Sequence, residues 1–159
     1  MAKNQDGYLS AKESRRISKE NRRITDQYEK RSKRRNVPES EYTTQMKDPA
    51  NAVEFDNLHT YFFTDTGVVK SVDGVSFEVP IGKTVGVVGE SGSGKSVFTK
   101  SFMGLLDANG SISSGTIDYY GADDGKPIRL SELTKEKDWL KVRGHEIAMI
   151  MQDPMTSLK

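Results

Sequence analysis

At 159 residues, the chain is long enough for one domain of ordinary size or for a domain with a tail. The net charge of +1 hides an asymmetry, because residues 1–37 carry 12 Lys or Arg against 5 Asp or Glu, whereas residues 38–159 carry 12 against 18. There is no cysteine, no apolar run of about 18 residues and no apolar segment at the N-terminus, so we expect no disulfide, thiolate-bound metal, membrane span or signal peptide.

Residues 1–37 are predicted to be a basic tail, helical or disordered. Residues 10–13, Ser-Ala-Lys-Glu, have the spacing of a capping box, and no Gly or Pro follows in this segment. The middle of the tail offers three apolar side chains, Ile17, Ile24 and Tyr28, too few for a core-facing stripe. We therefore expect a solvated or partly disordered helix.

The cations of residues 12–35 favour an acidic partner. Anionic lipid headgroups fit, because each Lys or Arg near such a surface contributes roughly 1 kcal/mol. RNA or DNA is the competing partner, but the tail has few aromatic side chains to stack on bases, so we expect no nucleic acid. Residues 38–50, with two prolines and several Ser, Thr and Glu, are typical of a linker.

Residues 51–83 have the pattern of antiparallel strands. Apolar and polar side chains alternate in residues 53–58 and again in residues 75–79, and residues 64–67 are typical of a turn. This differs from the strand–helix alternation that follows, so we expect a small antiparallel layer before a parallel sheet. The aromatic residues 61–63 cannot all face one side of a strand, and a partly exposed ring could stack on a flat ligand, although core filling is the commoner role.

Residues 89–96, Gly-Glu-Ser-Gly-Ser-Gly-Lys-Ser, fit the spacing G-x-x-x-x-G-K-S/T of a phosphate-binding P-loop. Residues 84–88 form an apolar, β-branched run that predicts a buried strand, and residues 97–106 have apolar side chains near helical spacing. Strand, glycine loop and helix are the context in which this motif binds nucleotide. A chance match in a chain of this length is on the order of one in two hundred.

Each residue type in the loop has a chemical reason. Gly89, Gly92 and Gly94 permit backbone conformations that turn successive N–H groups onto a phosphate. The helix that begins near Lys95 points its positive end at the same place. Lys95 can reach the β- and γ-phosphates, and the Ser96 hydroxyl can hold Mg²⁺. A solvated lysine in a glycine-rich turn is the alternative.

Three further elements follow the P-loop helix. Residues 116–120 form a predicted strand, and residues 130–142 mix apolar side chains with many charges, which favours a short exposed helix. Residues 146–151 are a nearly continuous apolar run, typical of a buried parallel strand. That strand would deliver Gln152 to the edge of the sheet where α/β folds place their ligands. Gln152 could contact Mg²⁺ or orient water, or simply form a turn.

Three stretches carry a family resemblance: Val72–Phe77, Gly89–Ser96 and, above all, Arg143–Leu158. Together they resemble the ATP-binding subunits of ABC transporters and are similar to the oligopeptide/dipeptide importer subgroup. The most specific part is Gln-Asp-Pro-Met-Thr-Ser-Leu, residues 152–158, which resembles that subgroup's Q-loop. A P-loop kinase or GTPase is disfavoured, because the Q-loop match would then be coincidence. The resemblance covers about residues 53–158 and leaves out the basic tail.

The resemblance implies an α/β fold: a P-loop NTPase (ABC ATPase) core with a preceding antiparallel β layer. Seven residues of the P-loop would bind ATP: Gly89, Ser91, Gly92, Ser93, Gly94, Lys95 and Ser96. Gln152 would be the catalytic Q-loop residue that meets Mg²⁺ and the γ-phosphate, with Ser96 as a further metal ligand. Phe62 falls where the family has its adenine-stacking aromatic residue, and Tyr61 is the second choice.

The resemblance also implies partners and a location. Transmembrane permease subunits would contact residues 153–158, a second ABC ATPase subunit would complete a dimer, and the protein would lie peripherally on the cytoplasmic face of the membrane. ATP hydrolysis, with Mg²⁺, would drive peptide import. Residues 51–159 would form the N-terminal part of the ATP-binding domain, from P-loop to Q-loop, after the tail (1–37) and the linker (38–50).

The family continues beyond the Q-loop with the LSGGQ signature, the Walker B strand and the switch histidine, and residues 1–159 contain none of these. We therefore expect an incomplete fold, either a truncated product or a partial gene model, that binds nucleotide or only the permease and does not hydrolyse ATP. Without the Walker B strand, Val85, Val87 and Val88 would lack neighbours that bury them.

Overall fold

A single antiparallel sheet organises the computed structural model, which describes residues 10–34, 36–121 and 125–151. The sheet has the strand order β2-β1-β3-β4. Its strands are β1 (Asn51–Thr64), β2 (Gly67–Pro80), β3 (Gly110–Tyr120) and β4 (Pro127–Arg129). The helices of the described part are α1 (Ala11–Ser32), α2 (Glu39–Tyr42), α3 (Lys95–Met103) and α4 (Glu136–Val142), and a 3-10 helix spans Leu130–Glu132.

The first two strands confirm the predicted antiparallel layer. β1 and β2 form one long hairpin that closes at the pair Thr64 and Gly67, where the sequence predicted a turn. β1 also pairs with β3, which is longer than the predicted strand because it continues through Gly115. Gly115 has φ +83°, and a Cβ there would lie 2.1 Å from the carbonyl oxygen of Asn57, so only glycine fits this irregular point of the ladder.

The core lies between the sheet and α3. The Phe55 ring on β1 lies 4.6 Å from Phe77 and 4.7 Å from Phe98, centroid to centroid. The buried hydroxyls of Thr60 on β1 and Ser101 on α3 lie 2.8 Å apart, and the Ser101 hydroxyl donates to the carbonyl oxygen of Val97, so both buried groups are hydrogen-bonded. These contacts fix the helix that follows the P-loop against the hairpin that precedes it.

Residues 130–142 do not form the predicted exposed helix. The segment divides into the 3-10 helix and α4, and it contributes three core side chains, Leu130, Trp139 and Val142. Trp139 lies directly over Gly104 at the end of α3, where a Cβ would come within 2.4 Å of the indole. The many charged residues of the segment made it look exposed in the sequence, but they alternate with apolar residues that share one buried face.

The two apolar runs predicted to be buried strands are not strands. Residues 81–90 are exposed throughout, with Val88 at 92%, and Ile150 in the second run is also 92% exposed. Among the described residues neither run has a neighbouring strand, apart from one isolated bridge between Arg143 and Ile147. β-propensity alone does not make a strand when no partner accepts its backbone hydrogen bonds.

The basic tail forms the predicted helix, with its cap in place. The Ser10 hydroxyl oxygen accepts a hydrogen bond from the Glu13 N–H at 3.2 Å. Most side chains of α1 are exposed, as expected for a solvated helix, but one side of α1 also packs on the sheet. The Tyr28 ring stacks on Phe63 with centroids 4.1 Å apart. Within the described ranges, no helix combines the length and the apolarity needed to cross a bilayer.

Arg31 anchors the C-terminal end of α1. Its guanidinium donates to the carbonyl oxygens of Ile112 and Ser131, and it forms an ion pair with Glu132 at 2.7 Å. A planar guanidinium offers several donors in fixed geometry, which suits such a set of convergent acceptors.

The predicted boundaries between tail, linker and ATP-binding domain stay a prediction.

Candidate functional site

The P-loop connects the end of the hairpin to α3, and Gly94 fixes where the helix begins. Gly94 is the N-cap of α3 with φ +92°, and a Cβ there would lie 2.4 Å from the carbonyl oxygen of Ser71 on β2. Close contact between the two backbones therefore requires glycine at this position. No side chain caps the helix, so its first N–H groups, beginning at Lys95, have no capping acceptor and can face an anion.

The first half of the loop is a tight turn. The Ser93 N–H donates to the carbonyl oxygen of Glu90 at 3.2 Å, and Gly92 has φ +79°. A Cβ at Gly89 would lie 2.7 Å from the Ser93 hydroxyl oxygen. The glycines predicted from the motif therefore have steric reasons in the folded loop.

Lys95 reaches back across this turn. Its ammonium donates to the carbonyl oxygens of Gly89 and Glu90, both at 2.7 Å, and lies 3.3 Å from the Ser93 hydroxyl oxygen. These acceptors are neutral, and a phosphate oxygen is a stronger partner for an ammonium. Ser96 is the next residue of the helix, and its side chain is exposed. The residues present therefore fit a phosphate group, with a metal ligand beside it.

Two depressions flank the loop. The P-loop depression, of about 360 Å³, lies between α3 and the β2 edge of the sheet, and it is lined by Val69, Lys70, Ser71 and residues 92–97. A second depression, of about 270 Å³, lies between β2 and residues 87–89, and Lys95 lines it as well. A third cavity, of about 320 Å³, lies under the C-terminal end of α1, and no P-loop residue lines it. Of the two depressions that Lys95 lines, only the P-loop depression is also lined by Ser96, so it is the natural place for a ligand of both residues.

A hydrogen-bonded cluster on β1 and β2 borders the second depression, which Asp73 lines. The Tyr61 hydroxyl donates to Asp73 Oδ1 at 2.5 Å, and His59 Nδ1 lies 2.8 Å from the same oxygen. The Tyr61 hydrogen bond lowers the pKa of Asp73, with burial opposing it and His59 assisting it. Burial, and then the hydrogen bond to Asp73, raise the pKa of Tyr61.

The aromatic candidates take different positions. Tyr61 is only 6% exposed and its hydroxyl is engaged, so its ring is poorly placed to stack on a base. Phe62 is half-buried and pairs with Val69, which lines the P-loop depression. The Phe62 ring lies over Gly110, where a Cβ would come within 2.7 Å of it. Phe62 does not itself line the P-loop depression, and its stacking role stays a prediction.

Gln152 and residues 153–158 lie outside the described residues, so the Q-loop roles stay predictions. Two neighbours of the loop were missed in the sequence. Ser71 supplies the backbone against which Gly94 packs, and Lys70 lines the P-loop depression. The only available signal was the polar pair Lys70-Ser71 inside an otherwise apolar run, which is weak because edge strands often carry such residues.

The comparison with family models identifies the class. Residues 72–159 match the model described as "ABC transporter". The match covers more than half of the chain, and the chain belongs to this family. Membership implies a P-loop ATPase domain with a nucleotide site, in agreement with the antiparallel layer, the P-loop and the helix after it.

Curated relatives within this family are ATP-binding proteins of peptide transport. The chain is 49% identical over 106 residues to the dipeptide transport ATP-binding protein DppD of Lactococcus lactis subsp. cremoris, an alignment that covers 67% of this chain and 28% of that protein. It is 52% identical over 91 residues to the oligopeptide transport ATP-binding protein AmiE of Streptococcus pneumoniae, covering 57% and 24%. It is 46% identical over 107 residues to AppD of Bacillus subtilis, an oligopeptide transport ATP-binding protein, covering 67% and 30%. The matched part of the chain thus spans less than a third of each relative.

Proposed function

We propose that this chain is the nucleotide-binding part of the ATP-binding subunit of an ABC importer for oligopeptides or dipeptides. The proposal rests mainly on the position of Lys95, whose ammonium donates hydrogen bonds across the P-loop to the carbonyl oxygens of Gly89 and Glu90. Lys95 is also the first residue of α3, whose start has no side-chain cap. The names of the three relatives support the peptide substrate class. In the complete subunit, ATP hydrolysis drives transport.

Different residues of the chain would bind different parts of the nucleotide. Lys95 and the backbone N–H groups of residues 92–96 would hold the phosphates, and Ser96 would hold Mg²⁺. Bound Mg²⁺ supplies charge neutralisation at the phosphates. Phe62 would stack on adenine, and Gln152 would meet Mg²⁺ and the γ-phosphate, as the family resemblance implies.

Nucleotide-linked stability tests this proposal. Mg²⁺-ATP should raise the thermal unfolding midpoint of the parent chain, because a ligand that binds only the folded state stabilises it by about 2.7 kcal/mol at a hundred times its Kd. Lys95→Ala should abolish the rise. Lys100→Ala, which removes the same charge one turn along α3, should keep it. A parent midpoint that does not respond to Mg²⁺-ATP would contradict the proposal.

We expect these 159 residues to bind ATP without sustained turnover. Hydrolysis needs a group that orients water and charge that stabilises the transition state. Among the described residues that line the P-loop depression there is no carboxylate, and residues 1–159 contain no LSGGQ. Steady ATPase activity that Lys95→Ala removes would overturn this expectation. The alternative function, an inactive fragment that binds nucleotide or the permease, rests on the same observations.

The proposed partners are the transmembrane permease subunits, reached through residues 153–158, and a second ABC ATPase subunit. The proposed location is the cytoplasmic face of the membrane, held there peripherally by the permease. Affinity-tagged chain should retain the permease from detergent-solubilised membranes. Retention that survives deletion of residues 153–158 would place the contact elsewhere.

Anionic lipid is a further proposed partner of residues 12–35. The outward side of α1 is exposed and strongly basic: Lys12, Arg15, Arg16, Lys19, Arg22, Arg23 and Lys30. Because the side that carries Tyr28 packs on the sheet, we expect electrostatic binding without insertion. The chain should sediment with phosphatidylserine vesicles at low salt and be released at high salt. Binding that ignores salt would count against this role.

A further inference from the structure

We propose that Lys70 of β2 is a second cationic residue of the nucleotide site, and that Glu20 of α1 competes with the nucleotide for it. This inference rests on the proposed function, because it adds a residue to the same site. Lys70 lines the P-loop depression together with Lys95 and Ser96. It lies outside the P-loop motif and outside residues 72–159, which match the family model.

An irregularity in the hairpin brings Lys70 to the P-loop. Thr60 pairs with Val72 and Tyr61 pairs with Lys70, so Ser71 has no partner residue on β1. The Ser71 carbonyl is the group against which Gly94 packs at the start of α3. Lys70 is therefore one residue from the point where β2 contacts the loop. β2 is also an edge strand, so this side of the hairpin is open to a ligand.

The charges around the P-loop depression suit a polyphosphate. Among the described residues that line it, Lys70 and Lys95 carry the charges, and both are cations. Lys95 sits within the turn of the loop, whereas Lys70 approaches from the strand side. Two cations among the residues that line one depression favour an anion with several charges, such as the triphosphate of ATP.

In this structure Glu20 forms an ion pair with the Lys70 ammonium. Its Oε1 lies 2.6 Å from Lys70 Nζ, and this hydrogen bond lowers the pKa of Glu20. The two side chains are 51% and 34% exposed, respectively, and ion pairs that are exposed to this degree contribute little to stability. A phosphate can therefore replace the carboxylate. Lys70 Nζ also lies 5.5 Å from the centroid of the Tyr61 ring, a cation–π contact of the kind that contributes little at an exposed site.

The test measures the Kd of a fluorescent ATP analogue with Mg²⁺ on the full chain. Lys70→Gln should weaken binding about 3- to 10-fold, as expected for one lost charge-assisted contact, and Lys70→Arg should stay within about 2-fold of the parent because it keeps the charge. Glu20→Gln should tighten binding by about 2- to 3-fold, because it frees Lys70. Lys83→Gln is the matched control, since this lysine lies exposed beyond the far end of β2 and its loss changes the net charge equally.

Opposite signs for Lys70→Gln and Glu20→Gln are the signature of competition. A purely structural ion pair would make both variants weaker by the same factor, or leave both unchanged, and either result overturns the inference. Lys95→Ala distinguishes a wrong role for Lys70 from a wrong assignment of the nucleotide site itself. If Lys95→Ala loses binding while Lys70→Gln binds like the parent, only the role of Lys70 is wrong. If the parent does not bind, or Lys95→Ala binds equally well, the proposed function fails as well.

Discussion

At the scale of single residues, Gly94 couples the P-loop to the hairpin. Its φ of +92° and the 2.4 Å approach of a Cβ to the Ser71 carbonyl make any side chain unfavourable. Gly94→Ala should lower the free energy of unfolding in urea by about 1–3 kcal/mol, the usual cost of such backbone strain. Gly86→Ala is the control, because a Cβ there meets no atom within 4 Å and the residue is not in the left-handed region. Equal effects of the two substitutions would contradict this role.

Asp73 should make stability depend on pH in the acid range. Its folded pKa is lowered below the ordinary 3.8, first by the Tyr61 hydrogen bond. The stabilisation is therefore complete above the unfolded pKa and is lost as the pH falls through the folded pKa. Asp73→Asn should lower the free energy of unfolding at neutral pH by less than about 1 kcal/mol, since the side chain is 54% exposed.

Urea unfolding at neutral pH and at a pH below the folded pKa of Asp73 measures this effect. The difference between the parent and Asp73→Asn should shrink at the acid pH. Asp65→Asn, in the exposed turn between β1 and β2, controls for the general effect of removing one carboxylate. A difference that persists unchanged in acid would show that the carboxylate charge is not what stabilises the cluster.

At the scale of elements, α1 shows what local sequence signals can and cannot predict. The capping box fixed the start of the helix correctly, because a cap depends only on residues within one turn. Docking depends on residues far along the chain, such as Phe63 beneath Tyr28 and the carbonyl of Ser131 beside Arg31. The prediction of a solvated helix counted only apolar side chains, and it therefore left out Arg31, which holds α1 through polar contacts with the carbonyl oxygen of Ser131 and with Glu132.

Tyr28→Ala should release α1 without unfolding the sheet. The lost ring stack is worth about 0.5–1.5 kcal/mol beyond the area it buries, and α1 otherwise rests on a few polar contacts such as Arg31 with Glu132. Hydrogen exchange should accelerate in residues 11–32 and stay unchanged in β1 and β3. Gln27→Ala, at an exposed neighbouring position, should leave α1 protected. Uniform acceleration across the chain would mean that α1 and the sheet unfold as one unit.

At the scale of the whole molecule, the sequence was most informative where patterns are local. Alternation predicted the β1–β2 hairpin, and the glycine spacing predicted a helix that begins at Lys95. Two apolar runs were predicted wrongly, because a strand needs a partner that propensity does not supply. The exposure of Val88 agrees with the expectation that residues 85–88 would lack neighbours that bury them, whereas Ile150 is exposed instead of buried. The Lys70–Glu20 pair joins residues 50 positions apart, and no spacing rule could have revealed it.

Hydrogen exchange with and without Mg²⁺-ATP is the sharpest test of a nucleotide site at the P-loop, since it locates the ligand as well as detecting it. If residues 89–97 are the nucleotide site, their amides should exchange more slowly with Mg²⁺-ATP, while those of α4 should not change. Lys95→Ala should remove this protection. Unchanged exchange at residues 89–97 in the parent chain, or equal protection in Lys95→Ala, would contradict the assignment of the P-loop as the nucleotide site.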